Sequence, residues 1–380
     1  MPGDTPTARE ARQIRKIAQL EQKLETLEAG RVVKERQTNH YIAKGRAIRR
    51  VVALFDNAED LITENDRRYD EDGSTQDLLC SQDRLQLGYV ALNVTFPWFQ
   101  KKAEAMEYDE YCHMLKMLRQ GADMARGDDT AKLKSLVAEW VNMDSTPDPR
   151  IDADDKHYRG FINDACGKLL CPAELDWNDP IIKAGIRNRA DGYLVTDLSF
   201  PAFLYERYSA NAQNLEEGLF KGKILVQAYK AVFTSPSSAK DVEADGDGAD
   251  ISANNKRAQR SCTKVKKHVA HIIQMKKVTP RSIAYIACQV RFALSSVTSW
   301  RSVDGDFDYV QFWRTIVDFF EKPPGCTAHR RVEFLLEWWT RKVFGRRGRD
   351  DISNASKATM SVNALAKQRE EMADAEFDSD

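Results

Sequence analysis

The chain has 380 residues, which is enough for one large domain or two domains of ordinary size. Its 57 Lys and Arg residues nearly balance its 58 Asp and Glu residues, so bulk charge excludes both a polyanion mimic and a nucleic-acid condenser. The 19 Gly and 12 Pro are too few for a collagen-like or wholly disordered chain.

A charged helical arm is predicted at the N-terminus, over residues 1–40. Its apolar residues recur at the heptad spacing of a short coiled coil: Ile17, Leu20, Leu24 and Leu27. An isolated helix of that length is marginal in water, so the arm needs a partner surface. We predict either dimerisation with a second copy of the chain or packing back on the body.

The next part, residues 41–143, keeps the helical period. Apolar residues from Tyr41 to Ile62 lie three or four positions apart, as on one face of an amphipathic helix. The segment 144–150 contains two prolines, and the residue before a proline avoids the α conformation. We therefore predict a turn and a domain boundary there.

A helix break is predicted inside this part, at Gly127. The stripe that begins at Tyr111 would end with Arg126 as a basic last turn and Gly127 as the C-cap. Asp129 would then be the N-cap of a further helix that buries Trp140.

Residues 150–345 are predicted to form a second helical part. Asp179 and Thr279 each precede a proline, which is typical of a helix start. Asp308 is predicted to be the N-cap of a further helix. The segment 216–233 is apolar on nearly every side, as expected for the central helix of a bundle.

Two segments lack an apolar stripe. Residues 236–262 are small and polar, with an acidic run between Asp241 and Asp250, and we predict a mobile, exposed insertion. Residues 346–380 are predicted to form a disordered tail. The predicted fold is all-α: an irregular helical bundle with a charged N-terminal arm, the mobile insertion and the tail.

Short motifs in the second half resemble a known family. They are Arg159–Phe161, Leu169–Pro172, Phe200–Tyr205, Gly218–Val226, Thr279–Tyr285 and Leu335–Trp339. In this order, over roughly residues 155–345, they resemble an expanded family of uncharacterised proteins from mushroom-forming fungi, known only as a domain of unknown function. The family has no established activity, so the resemblance implies no functional residues.

Cysteine usage and hydropathy indicate an intracellular protein, cytoplasmic or nuclear. The seven cysteines are scattered and cannot all pair, which argues for reduced thiols. The N-terminus lacks the apolar core of a secretory signal, and no run reaches the roughly 18 to 20 apolar residues of a membrane span. We therefore expect no membrane partner.

Candidate catalytic and metal sites fail on their spacing. Cys166 and Cys171 have His157 upstream, but no second Cys or His pair follows at zinc-finger spacing. The segment 218–224 has one residue too few between its glycines for a phosphate loop. We predict no catalytic residue, no metal and no cofactor. An enzyme of unrecognised class, with a pocket near 159–177, remains an alternative.

A basic stretch is the strongest functional signal. Residues 251–281 contain nine cations and no Asp or Glu, and a second cluster follows the paired tryptophans 338 and 339. Clustered Lys and Arg attract phosphates. The predicted nucleic-acid contacts are Lys256, Arg257, Arg260, Lys264, Lys266, Lys267, Lys276, Lys277, Arg341, Lys342, Arg346 and Arg347. Two alternatives remain: neutralisation by the neighbouring acidic run, or a nuclear localisation signal.

These observations favour a non-enzymatic interaction or scaffold protein of unknown pathway, with a protein partner or self-association through the N-terminal arm. The second hypothesis is a nucleic-acid-associated accessory factor that binds phosphates through residues 256–281.

Overall fold

A computed structural model of the chain describes residues 8–70, 80–240, 268–345 and 359–377. The described residues are mostly helical, and their only strands form one short hairpin, which confirms the all-α fold class. The helices are α1 (Ala8–Val51), α2 (Ala58–Asp70), α3 (Cys80–Thr95), α4 (Trp98–Glu104), α5 (Tyr108–Ser145), α6 (Asp164–Leu170), α7 (Pro180–Arg187), α8 (Lys223–Phe233), α9 (Val269–Ile272), α10 (Pro280–Leu294), α11 (Tyr309–Glu321), α12 (Gly325–Phe344) and α13 (Ser361–Phe377). Strands β1 (Val303–Asp304) and β2 (Phe307–Asp308) pair antiparallel.

Helices α8 and α10 form the centre of the core. Residues 224–233 of α8 and 281–294 of α10 are all buried, because both segments are apolar on nearly every side. Helix α10 contacts α1, α5, α8 and α11, and α12 packs on α8. The core therefore contains residues from both sides of the segment 144–150.

The predicted helix caps are confirmed at three starts. The Asp179 side chain accepts a hydrogen bond from the backbone N–H of residue 181, and Thr279 accepts one from residue 282. Asp308 accepts from the N–H groups of residues 310 and 311. These caps are local contacts, so the sequence spacing was sufficient to predict them.

Helix α8 begins later than the sequence analysis placed it, at Lys223 rather than at 216. Gly218 has φ of 72°, which is outside the helical region. At Gly222, a Cβ atom would lie only 1.9 Å from the carbonyl oxygen of Phe203, so the chain there passes directly against a neighbouring backbone.

The predicted break at Gly127 is wrong, because α5 is one continuous helix. Asp129 is not a cap: it is buried and pairs with Arg50 of α1, and it accepts a hydrogen bond from Tyr285 of α10. A helical glycine costs about 1 kcal/mol relative to Ala, which is less than such tertiary contacts supply.

Helices α1 and α5 cross with their backbones in contact. A Cβ atom on Gly45 would lie 1.9 Å from the carbonyl oxygen of Leu118, and one on Gly121 would lie 2.1 Å from that of Ile42. Each helix therefore presents a glycine to the backbone of the other, and neither position has room for a side chain.

The N-terminal arm is the first part of α1. This helix has 44 residues and is about 66 Å long. It meets the body near Thr38, which contacts His113 at 3.4 Å, and Tyr41 is buried. Before that point, Ile17 and Leu20 are exposed, by 54% and 58%.

The predicted insertion and tail differ in part from expectation. Residues 238–240 form a 3₁₀ turn in which Ala239 is fully buried. The prediction that the chain is exposed from residue 236 onward is therefore wrong at Ala239. Helix α13 was missed in the predicted tail, since its residues carry no clear apolar stripe. The remaining parts of both segments, 241–262, 346–358 and 378–380, lie outside the described residues.

None of the helices in the described residues combines the length and the apolar character that a bilayer-spanning segment needs.

Candidate functional site

Two of the predicted basic clusters meet at the end of α12. The backbone N–H of Val278 donates to Thr340 Oγ1 at 3.2 Å, which holds the chain directly after Lys276–Lys277 against the turn that carries Arg341–Lys342. Lys276, Lys277 and Arg341 are exposed and Lys342 is half-buried. We call these four residues the basic face.

The other predicted nucleic-acid contacts lie outside the described residues: Lys256, Arg257, Arg260, Lys264, Lys266, Lys267, Arg346 and Arg347. In the sequence, six of them precede His268 and two follow Gly345. Their contribution to the basic face stays a prediction.

Trp338 borders the basic face, although it was not among the predicted nucleic-acid contacts. Its ring is half-buried, with Lys221 Nζ 5.4 Å and Lys342 Nζ 6.0 Å from the ring centroid. Trp339 is fully buried and its Nε1 donates to the carbonyl of Phe220, as expected for a core residue. One feature of the sequence indicated that Trp338 is not a core residue: it lies off the apolar stripe of α12.

Exposed aromatic and acidic side chains flank the basic face on α12. Phe334, one turn before Trp338, is exposed, and so are Glu333 and Glu337. The surface therefore combines cations and aromatic rings with carboxylates of α12 beside them.

The segment 159–177, considered for an enzyme pocket, is tightly packed around its thiols. Cys166 and Cys171 are buried, and burial raises the pKa of Cys166 to about 11 and that of Cys171 to about 12. Both thiols stay protonated at neutral pH and are therefore poor nucleophiles. At Gly167 a Cβ atom would lie 2.3 Å from the ring of Trp177.

Three buried cations near the end of α10 have no carboxylate partner among the described residues: Lys156, Arg159 and Arg291. Lys156 Nζ donates to the carbonyls of Phe292 and Val297. The contacts of Lys156 with Phe292 and of Arg159 with Ala293 satisfy carbonyls at the C-terminus of α10, where cations are favourable.

Arg159 donates only to backbone carbonyls, including those of Lys134 at 2.9 Å and Ala293 at 2.8 Å. The Arg291 guanidinium carbon lies 3.4 Å from the ring centroid of Phe307, and its Nη1 is 3.4 Å from the Tyr309 hydroxyl. The spacing of these cations in the sequence gave no sign that they would come together.

A cavity of about 320 Å³ opens beside Lys156, between α5 and the end of α10. None of residues 159–177 lines it. Within the described part of the chain, no group of three or more His, Cys, Asp or Glu side chains is arranged to hold a metal ion.

Comparison with known proteins gives a family and no activity. A sequence model of a family of unknown function (DUF6698) matches residues 120–344. No curated protein and no solved structure matches the chain significantly. The match begins inside α5, earlier than the resemblance at residue 155, and covers more than half of the 380 residues. The chain therefore belongs to this family of unknown function (DUF6698).

Proposed function

We propose that the protein is a non-enzymatic interaction or scaffold protein of the cytoplasm or nucleus, in an expanded fungal family, that self-associates through its N-terminal arm. The observation that carries this proposal is the exposure of Ile17 and Leu20 on a helix that is continuous with the folded body. An unpartnered apolar seam on a projecting helix is a surface that a second copy would cover.

The energetics favour association over a free arm. Most helical stability in proteins comes from packing of an apolar face, and burying a Leu or Ile side chain stabilises by about 1.5 to 3 kcal/mol. The heptad spacing of the sequence places Leu24 and Leu27 on the same seam as Ile17 and Leu20. In a dimer, each arm supplies the apolar surface that the other needs.

The test is the solution mass of the full chain at micromolar concentration, measured by light scattering after size exclusion. We expect a dimer or larger assembly for the unmodified chain, and a monomer for the double variant Ile17→Asp/Leu20→Asp. Gln19→Asp is the matched control, since Gln19 is exposed on the same turn but off the seam. The proposal would be refuted by an unmodified chain that is monomeric and stays monomeric after removal of residues 1–35.

A second candidate function is phosphate-directed binding of nucleic acid through the basic face. The convergence of Lys276–Lys277 with Arg341–Lys342 beside Trp338 supports it. Each phosphate contact contributes about one unit to the slope of log affinity against log salt.

The experiment is a binding titration with heterogeneous single-stranded RNA over a salt series. We expect Arg341→Gln to reduce the slope by about one unit. Arg330→Gln is the control, because Arg330 is exposed near the other end of α12. Absence of binding at low salt would remove this candidate.

A further inference from the structure

We propose that the cavity between α5 and the end of α10 binds a small organic phosphate whose aromatic group packs against Trp300. This site is independent of the arm and of the basic face. Its volume of about 320 Å³ lies at the small end of known ligand pockets, which span about 300 to 1,000 Å³.

The cavity walls come from three parts of the fold. One face of α5 contributes positions 126, 127, 130, 131 and 134, which are neighbours on a helix surface. The segment after α5 contributes Lys156, and the end of α10 with the following loop contributes Phe292, Thr298 and Trp300. A ligand here would contact elements that lie far apart in sequence.

The charged side chains that line the cavity are all cationic: Arg126, Lys134 and Lys156. The nearest carboxylates to the first two are exposed, with Asp123 at 3.7 Å from Arg126 and Asp154 at 3.9 Å from Lys134. Such long pairs with exposed carboxylates contribute little. Lys134 Nζ also donates to the carbonyl of Asp154 at 3.0 Å, and an ammonium group with three donors retains others for a ligand.

Lys156 supplies an uncompensated charge at the base of the cavity. A protonated amine has three N–H donors, and two of them go to the carbonyls of Phe292 and Val297. Nζ also lies 3.5 Å from the ring centroid of Phe292, a contact that offsets part of the charge, but no carboxylate among the described residues pairs with it. Burial, followed by the charge of Arg159, lowers the pKa of Lys156 to about 7; Lys134 and Arg291 act in the same direction, and Asp304 opposes them. A bound anion would restore the charged form.

Two buried guanidinium groups that do not line the cavity add positive charge near Lys156. Arg159 and Arg291 are also buried without a carboxylate partner among the described residues. Burying unpaired cations is costly, and an anion held close to them offsets that cost.

The choice of a phosphate with an aromatic group follows from the donors and from Trp300. Cations on separate elements suit an oxyanion that has three acceptor oxygens, as a phosphate ester does. Trp300 is half-buried, and its ring packs against Phe292 and Tyr309, with centroids 5.1 Å and 5.3 Å away. These contacts fix the indole as one wall, on which a second ring has room to pack.

The test is calorimetric titration of the full chain with phenyl phosphate, inorganic phosphate and phenol. We expect phenyl phosphate to bind about tenfold more tightly than either of the other two probes, because only it engages both the cations and Trp300. Arg126→Gln and Lys134→Gln should each weaken phenyl phosphate binding by about tenfold. Trp300→Leu should remove most of the preference over inorganic phosphate.

Two further variants separate this site from general charge attraction and from misfolding. Lys116→Gln removes an exposed cation elsewhere on α5 and should leave binding unchanged. Gly127→Leu should abolish binding without loss of stability, because no atom lies within 4 Å of a Cβ at Gly127 and the side chain would extend from the cavity wall.

The proposal is overturned if phenyl phosphate binds no more tightly than inorganic phosphate. It is also overturned if Lys116→Gln weakens binding as much as Lys134→Gln does, or if Gly127→Leu binds like the unmodified chain.

Discussion

Asp129 joins three helices, and its removal is expected to be the most damaging single change to the buried polar contacts. Its carboxylate accepts hydrogen bonds from Arg50 Nε at 2.7 Å and Nη2 at 2.9 Å, and from the Tyr285 hydroxyl at 2.8 Å. Arg50, Asp129 and Tyr285 belong to α1, α5 and α10, and all three are buried. The ion pair is therefore shielded from water and holds α1 to α5.

The size of the effect follows from what the substitution leaves behind. In Asp129→Ala the guanidinium of Arg50 stays buried without a counter-charge, which costs about 3 to 5 kcal/mol. Tyr285→Phe removes one hydrogen bond to a charged group and should cost about 1.5 kcal/mol. Since a folded domain is stable by only about 5 to 15 kcal/mol, the first change consumes a large share of that margin.

Denaturant unfolding of a double-mutant cycle provides the assay. We expect Arg50→Met with Asp129→Ala to cost clearly less than the sum of the single variants, because the double variant leaves no unpaired charge. Asp128→Ala is the matched control: Asp128 is the neighbouring residue, pairs with Arg46 and is 63% exposed, so its loss should cost under about 1 kcal/mol. A cost for Asp129→Ala no greater than for Asp128→Ala would refute the reasoning, as would strict additivity in the cycle.

Three further predictions address packing, protonation and thiol access. Gly45→Ala should lower the free energy of unfolding by about 2 kcal/mol or more, because its Cβ would collide with the backbone of Leu118. Gly127→Ala, where no atom lies within 4 Å of a Cβ, should raise it by up to about 1 kcal/mol. Equal effects of the two variants in thermal unfolding would contradict the close crossing of α1 and α5. The pKa of Lys156 is about 7 in the folded chain and 10.5 unfolded, so the unfolded state binds more protons and Lys156 should raise stability by about 1.4 kcal/mol per pH unit above pH 7. The slope is measured below about pH 8.5, because above it unfolded cysteines lose protons that buried Cys166 and Cys171 keep. Lys156→Met should lose that slope in pH-dependent unfolding. Among the described cysteine side chains, native alkylation followed by mass spectrometry should modify Cys112 and Cys326 while sparing Cys166, Cys171 and Cys288; rapid labelling of the latter three would contradict their burial.

The helices and their starts were predictable because the responsible contacts are local. An Asp or Thr before a proline caps the helix that it begins, as Asp179 and Thr279 do, and Asp308 caps a third helix start. The cap predicted at Asp129 is absent, because tertiary contacts bury that residue inside a continuous helix. The apolar character of residues 224–233 likewise indicated a central helix. Where a distant segment intervenes, the prediction was wrong: α8 starts late because Gly222 lies against the backbone of Phe203.

The candidate sites were less predictable than the helices. The sequence identified Lys276–Lys277 and Arg341–Lys342 as basic, but their proximity depends on one hydrogen bond between Val278 and Thr340. The cavity was not foreseen, since Lys156 and Trp300 show no pattern in the sequence and become neighbours only at the end of α10.

Periodic apolar residues and capping residues by themselves determined that this chain is helical and where the three helices capped by Asp179, Thr279 and Asp308 begin, because each acts over a few neighbouring positions. Only the tertiary structure decided that α5 runs through Gly127, that Asp129 is an ion-pair partner rather than a cap, and that cations from separate segments line one cavity. The physical reason is that a buried charge or a backbone crossing derives its energy from residues that the fold, and not the sequence order, brings within contact distance.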